Sequence, residues 1–168
     1  MFAKLDVILY TLINTYDMGI EAVGYIDTDI VLFSDPTIIM LDTMNKNKDI
    51  NIFSQCDENS EKCSNKIACR DICSGVIVFR NIKHLYHIFR YTPKDVYKLT
   101  GDQQFLTYNL KKLNIICLTI DKNIFLNGYY FHTNHSNTFP KSACLIHFNY
   151  LVGNQKQHKM IEQNVWYI

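Results

Sequence analysis

Apolar residues recur at helical spacing from the start of the chain, at Phe2, Leu5, Ile8, Leu9, Leu12 and Ile13. This spacing predicts a first helix that ends near Gly19, where a left-handed cap is easily formed. The pattern then changes. EAVGYI reads as a short strand running into Asp27, IVLF continues as strand, and SDP breaks it because Pro36 cannot extend a ladder. DINIFSQ and CSGVIVF read as further strands. Between them, residues 57–71, DENSEKCSNKIACRD, are polar and aperiodic and are expected to form a loop. NIKHLYHIFRYT reads as a helix with Ile82, Leu85, Ile88 and Phe89 on one face. TGDQQFLTYNLKKL reads as another, with Thr100 or Asp102 as its N-cap. NIICLTI is a predicted strand, residues 121–141 mix turn residues with aromatics, ACLIHF is a last strand and NQKQHKMIEQNVW a terminal helix. Strands alternating with helices predict an α/β layered fold, a mixed sheet with flanking helices. No internal repeat or linker divides residues 1–168, so one domain is expected.

Composition narrows the function classes. Of the 168 residues 48% are hydrophobic, enough for a sizeable core, which argues against disorder. Formal net charge is +1 with no long basic block, so nothing calls for nucleic acid as partner. No stretch approaches the roughly 18 consecutive apolar residues of a membrane span. The N-terminal patch does not read as a signal peptide: Asp6 precedes it, Asn14 and Asp17 break the run beyond it, and no small-residue cleavage site closes it. On that ground the cytoplasm is the expected compartment.

Four of the six cysteines, Cys56, Cys63, Cys69 and Cys73, lie in one stretch, and none forms a C-x-x-C pair. Free thiols, a disulfide among the four and zinc all fit this spacing, in decreasing order of fit.

The candidate chemistry begins in GYIDTDIVLFSDP. Asp27 and Asp29, at i and i+2 in an extended segment, point to the same side. Burying both unpaired would be prohibitive, but at a strand end they can share a divalent cation, and hard carboxylate oxygens suit Mn²⁺ or Mg²⁺. An isolated D-x-D is common on surfaces; here VGYI before it and IVLF after it speak against a solvated loop. His147 follows an apolar strand and precedes Gly153 and Lys156. A lone His there is more often structural, but it can also complete a metal site that carboxylates begin. Gly153 permits close backbone approach to a phosphate, and Lys156 offers it a point charge. Asp102 and Gln103 read either as an ordinary helix start or as side chains aimed at sugar hydroxyls. Ser74 and Gly75 read as a plain strand start or as part of the same site.

Together these segments resemble the nucleotide-diphospho-sugar transferases with the GT-A fold. GYIDTDIVLFSDP looks like their metal-binding signature. CSGVIVFR, GDQQFLTYNL, FLNGYYF and HFNYLVGNQKQHKM come next in the family's order, and the last is similar to the His-aromatic-Asn run of the family-77 type. The resemblance extends from about Lys4 to Met160. It implies that Asp27, Asp29 and His147 hold the metal and that Gly153 and Lys156 face the donor diphosphate. It also implies that Ser74, Gly75, Asp102 and Gln103 line the sugar site, with Asp102 the carboxylate best placed to touch the donor sugar. The implied reaction moves a sugar from a nucleotide-sugar donor to a glycan or protein acceptor, with retention of configuration. Relatives often work in the secretory lumen, so the resemblance keeps that compartment open beside the cytoplasm favoured from the N-terminus.

Two departures bear on this. Relatives usually carry Asn before the Gly of the sugar-site strand, where this chain has Cys73-Ser74. The resemblance also places a nucleoside-binding strand-helix-strand ahead of the helix with which this sequence starts. The runner-up is therefore a truncated, non-catalytic GT-A domain acting as a binding module. A phosphohydrolase fits less well, because its two-metal sites need a second acidic pair. The expected arrangement leaves a sheet edge and the first helix's apolar stripe uncovered. The expected partner is accordingly a second copy of the chain or a complementing polypeptide.

Overall fold

The computed structural model describes residues 2–57, 72–99, 101–134 and 138–166. The chain runs through α1 (Ala3–Tyr16), β1 (Ala22–Ile26), β2 (Ile30–Leu32), α2 (Thr37–Lys46), β3 (Ile52–Cys56) and β4 (Ile72–Arg80). A 3-10 helix (Lys83–Phe89) comes next, then α3 (Pro93–Lys98), α4 (Asp102–Lys112), β5 (Cys117–Thr119), β6 (Phe125–Asn127), α5 (Gly128–Asn134), β7 (Leu145–His147) and α6 (Asn154–Glu162). The expected α/β class, with mixed sheets and flanking helices, is the one found, but the strands divide between two sheets. One is four-stranded in the order β1-β4-β3-β5, the other three-stranded in the order β2-β7-β6. In the first, β4 runs antiparallel to β1 and β3, and β5 parallel to β3. In the second, β7 is antiparallel to β2 and parallel to β6.

The two-residue period of β3 and β4 sorts their side chains to opposite faces. Ile52, Ile77 and Phe79 pack under Leu5, Ile8 and Leu12 of α1, with Leu85, Ile88, Phe89, Phe105 and Leu110 completing that layer. Phe53 and Val76 face the other way, onto Met40 and Met44 of α2 and Phe125 and Leu145 of the second sheet. Behind the second sheet, Leu126 and Ile146 pack on Phe131, Phe148 and Met160. Leu5, Ile8 and Leu12 are each 1% exposed or less, so the fold itself buries the stripe of α1, and the expectation that this stripe is uncovered is corrected. Ile13, off that face, stays exposed. Among the described residues the outer edge of β1 pairs with no strand, its one strand partner being β4.

Other expectations need revision. The segment 37–46, passed over in the periodicity, is α2. Its signal was the Asp35-Pro36 pair, with Pro36 at the helix start and the Asp35 carboxylate accepting from the Thr37 N–H at 2.8 Å. The helix over 83–89 is a 3-10 helix, and α3 after it is set by a Thr92–Asp95 capping box. Residues 121–141 contain β6 and α5. The cap of α5 comes from Asn127, whose side-chain oxygen accepts from the N–H of Tyr129 and Tyr130. Asp102 is not an N-cap: Gly101 occupies that position without a side-chain cap bond, and Thr100 lies outside the described residues. Cys56 is disulfide-bonded, which corrects the free-thiol reading there, while Cys73 and Cys144 are buried free thiols. Cys63, Cys69 and nearly all of the expected loop lie outside the described residues.

Candidate functional site

The Asp27-Thr28-Asp29 tripeptide is where the chain leaves one sheet and enters the other. Asp27 follows the last residue of β1 and Asp29 precedes the first of β2. This is why carboxylates sit between two apolar strands: the backbone changes sheets there, and the gap between the sheets receives their side chains. The Asp27 N–H still donates to the Gly75 carbonyl at 2.8 Å, extending the β1–β4 ladder by one step. Ile30 pairs with His147 in the second sheet, which brings the imidazole alongside Asp29. One ligand atom from each of Asp27, Asp29 and His147 lies within 4.8 Å of the others.

A slip in β-pairing shapes the floor. Ser54 of β3 faces Ile77 of β4, but the next residue, Gln55, faces Cys73. The β4 residues between those partners, Ser74, Gly75 and Val76, therefore leave the β3 ladder, a bulge of the kind that re-aims side chains. Gly75 then passes directly under the imidazole: a Cβ there would stand 2.2 Å from Cε1 of His147 and 2.7 Å from Oδ2 of Asp27. The pocket accepts no side chain at this position, and the carboxylates and ring close over bare backbone.

The charges are organised in pairs. Lys4, from the first turn of α1, lies 3.0 Å from both carboxylate oxygens of Asp27 and 3.1 Å from Asp102. It also donates to the hydroxyl of Ser74 at 3.2 Å, which in turn donates to Asp102 at 3.3 Å. Burial works to lower the Lys4 ammonium's pKa, but the hydrogen bonds and charges of Asp27 and Asp102 outweigh it and hold the group above its ordinary value. The Tyr25 phenol is pushed up by burial and by the neighbouring Asp27. Asp29 is bonded by the Lys156 ammonium and stands 3.2 Å from Nε2 of His147. Burial would raise its carboxyl, but the His147 ring and the Lys156 ammonium prevail and hold it well below the usual carboxylate range.

Gln103 is locked in place. Its oxygen accepts from the Ser74 N–H at 3.2 Å, and its nitrogen donates to Asp57 at 2.7 Å. One N–H and one lone pair remain for a ligand. Asn149 donates to the other oxygen of Asp57 at 2.9 Å, and its own oxygen is buried without a hydrogen-bond partner among the described residues. All of these groups except Tyr25 and Lys156 line one cleft of about 420 Å³.

Of the residues singled out in the sequence, Asp27, Asp29, Ser74, Gly75, Asp102, Gln103 and His147 share this cleft. Lys156 reaches its rim through Asp29. Gly153 does not line it; with φ of +53° it begins α6, and its carbonyl accepts from the Lys156 N–H at 3.1 Å. Lys4, Gln55, Asp57 and Asn149 were not singled out. Lys4 lies outside the apolar stripe of the first helix, and Asp57 begins the expected polar loop. Of these four, Gln55, 1% exposed in β3, is the one whose polarity conflicts with an apolar strand.

A carboxylate pair and an imidazole converging where two sheets meet, beside a polar cleft with further acidic and amide groups, define a candidate cation site of an α/β protein. The chain belongs to the nucleotide-diphospho-sugar transferase family, whose sequence profile matches residues 15–160. Among solved structures it is similar to mouse xyloside xylosyltransferase 1 in its apo form. The match has 13% identity and a TM-score of 0.47, and covers 88% of this chain and 66% of that one. No curated protein matches the chain.

Proposed function

We propose that this chain is a metal-dependent glycosyltransferase domain, moving a sugar from a nucleotide-diphosphate donor to a glycan or protein acceptor with retention. The observation that carries the reading is the convergence of Asp27, Asp29 and His147 next to the Lys4–Asp102–Ser74–Gln103 cluster in one cleft. The ligand atoms fit a hard divalent ion: two carboxylates and one ring nitrogen, with the His147 ring and the Asp27 carboxylate closing over the bare backbone of Gly75. Asp27, Asp29 and His147 would hold Mn²⁺ or Mg²⁺, which supplies Lewis-acid neutralisation of the leaving diphosphate.

The chain's own side chains do the rest. Lys156 adds a point charge for the diphosphate beside Asp29, and the turn at Gly153 sets the start of the helix that carries it. Asp102, oriented by Ser74 and Lys4, presents its carboxylate to the donor sugar. The remaining N–H of Gln103 suits a sugar hydroxyl. Gly75 lets donor, ring and carboxylate approach the strand backbone. The disulfide at Cys56 is a feature of oxidising compartments and weighs towards the secretory lumen rather than the cytoplasm. No helix among the described residues is long and apolar enough to cross a membrane.

The second reading, a non-catalytic binding module, draws on the open edge of β1, which suits a second copy or a complementing chain. Calorimetric titration of the chain with nucleotide sugars, with and without Mn²⁺, tests the first reading. Mn²⁺-dependent donor binding that disappears in Asp29→Ala, with the fold intact, supports it. Donor binding without any transfer to water or acceptor favours the binding module. Absence of both metal and donor binding overturns the glycosyltransferase reading.

A further inference from the structure

Gln55 sets its NH₂ group against two backbone carbonyls and its oxygen against His147, and this settles which ring nitrogen of His147 carries a hydrogen. Its Nε2 lies 3.2 Å from the Phe125 carbonyl and 2.7 Å from the Leu126 carbonyl. Carbonyl oxygens only accept, so both must be met by the NH₂ group, and the amide cannot be turned over without setting oxygen against oxygen twice. The Gln55 oxygen then faces Nδ1 of His147 at 3.0 Å. An amide oxygen also only accepts, so Nδ1 must donate. Cys73 Sγ, 3.3 Å from the same nitrogen, is a second, weaker acceptor for that hydrogen; a thiol donating to a bare Nδ1 instead would leave Nδ1 and the Gln55 oxygen, two acceptors, facing each other at 3.0 Å with no hydrogen between them. With the hydrogen on Nδ1, the neutral ring presents the bare lone pair of Nε2 to Oδ1 of Asp29, 3.2 Å away, and only a second proton, on Nε2, lets the ring donate to that carboxylate. Two acceptors at that separation need a cation, a proton or a metal ion, to share.

We propose that Gln55 is a positioning residue that fixes the Nδ1–H tautomer of His147 and thereby makes its Nε2 a ligand for the cation held with Asp27 and Asp29. The β-slip sets Gln55 opposite Cys73, and both meet the ring at Nδ1. Partners of this kind usually hold a ligating histidine through a carboxylate or a backbone carbonyl. Here a side-chain amide takes that place, anchored by the carbonyls of β6. The inference rests on the metal reading only for its second half, and the experiment separates the two.

The tautomer is read directly from the ring nitrogen shifts of the metal-free protein labelled with ¹⁵N-histidine, at a pH where the His147 ring is neutral, with His147→Gln assigning the signal. The expected result is Nδ1–H in the wild type and in Cys73→Ala. A shift towards Nε2–H is expected in Gln55→Met, which keeps the side-chain length and removes both amide functions. Titration with Mn²⁺ alone should give a Gln55→Met affinity lower by about 10–100-fold, the usual cost of losing such a partner. Nε2–H in the wild type overturns the proposal whether or not any variant folds. An unchanged tautomer in a folded Gln55→Met also overturns it, as does Mn²⁺ affinity within twofold of wild type. A wild type that holds Nδ1–H but binds no Mn²⁺ leaves Gln55 as the tautomer-setting residue and removes the metal reading instead.

Discussion

Gly75 lies so close beneath His147 that a Cβ built on it would stand 2.2 Å from the ring's Cε1 and 3.0 Å from Nδ1. The ring cannot retreat, because it is 3% exposed and its Nδ1 is held by Gln55 at 3.0 Å. Gly75→Ala is therefore expected to drive His147 and Asp27 apart. Overpacking of this kind costs about 1–3 kcal/mol, and Mn²⁺ affinity should fall by more than about tenfold, since ligand geometry is what the extra methyl disturbs. Urea unfolding and a Mn²⁺ titration check the two effects. Wild-type Mn²⁺ affinity in a folded Gly75→Ala would mean that these residues do not form the ion's site.

Lys4 joins two carboxylates, Asp27 and Asp102, that would otherwise face each other without a cation. Removing one member of a fully buried ion pair costs roughly 3–5 kcal/mol, and the partial exposure of Asp27 reduces that. Lys4→Met should destabilise the metal-free protein by about 1–3 kcal/mol at neutral pH. Saturating Mn²⁺ should return part of the loss, because the ion takes over the charge of Asp27. Unfolding curves in chelator and in excess Mn²⁺ measure both quantities. A loss equal in the two conditions would show that Lys4 and the ion do not share Asp27.

The Asp29 carboxyl is held below its ordinary value of 3.8 in the folded protein. The unfolded chain therefore binds this proton more readily, and the stability Asp29 contributes is fully present above pH 3.8 and lost as pH falls below it. Lys4 has the opposite sign: its folded value is raised above 10.5, so its contribution is present below that pH and fades as pH rises through the folded value. Urea midpoints measured at about pH 6 and about pH 3 should show a smaller acid loss in Asp29→Asn than in the wild type. An equal loss would indicate that other carboxylates govern the acid limb.

The open edge of β1 borders an apolar groove of about 300 Å³ lined in part by Gly24, Ile26, Met40 and Leu41, and Ile26 and Leu41 are exposed. Light scattering at micromolar concentration is expected to give twice the 19.7 kDa chain mass. Ile26→Lys, which places a charge at that edge, should return the mass to that of one chain. A wild-type monomer that stays monomeric across the concentration range would remove the dimer.

The sequence alone determined the layered α/β class, the order of most elements and the acidic tripeptide between two apolar strands. It also singled out His147 at the end of an apolar strand. These features are local: a period of two or of 3.6, a proline, or a charge within an apolar run can each be read within a dozen residues. The tertiary structure alone decided which groups complete the site. Lys4 meets Asp27 across 23 positions, Gln55 meets His147 across 92, and Lys156 meets Asp29 across 127. No periodicity encodes such pairs, because strand register and crossover set them. The β-slip at Ser54 and Gln55 shows this most plainly. A shift in pairing, invisible in the residues themselves, turns a mid-strand glutamine towards a histidine and lifts Ser74 and Gly75 out of the ladder into the cleft.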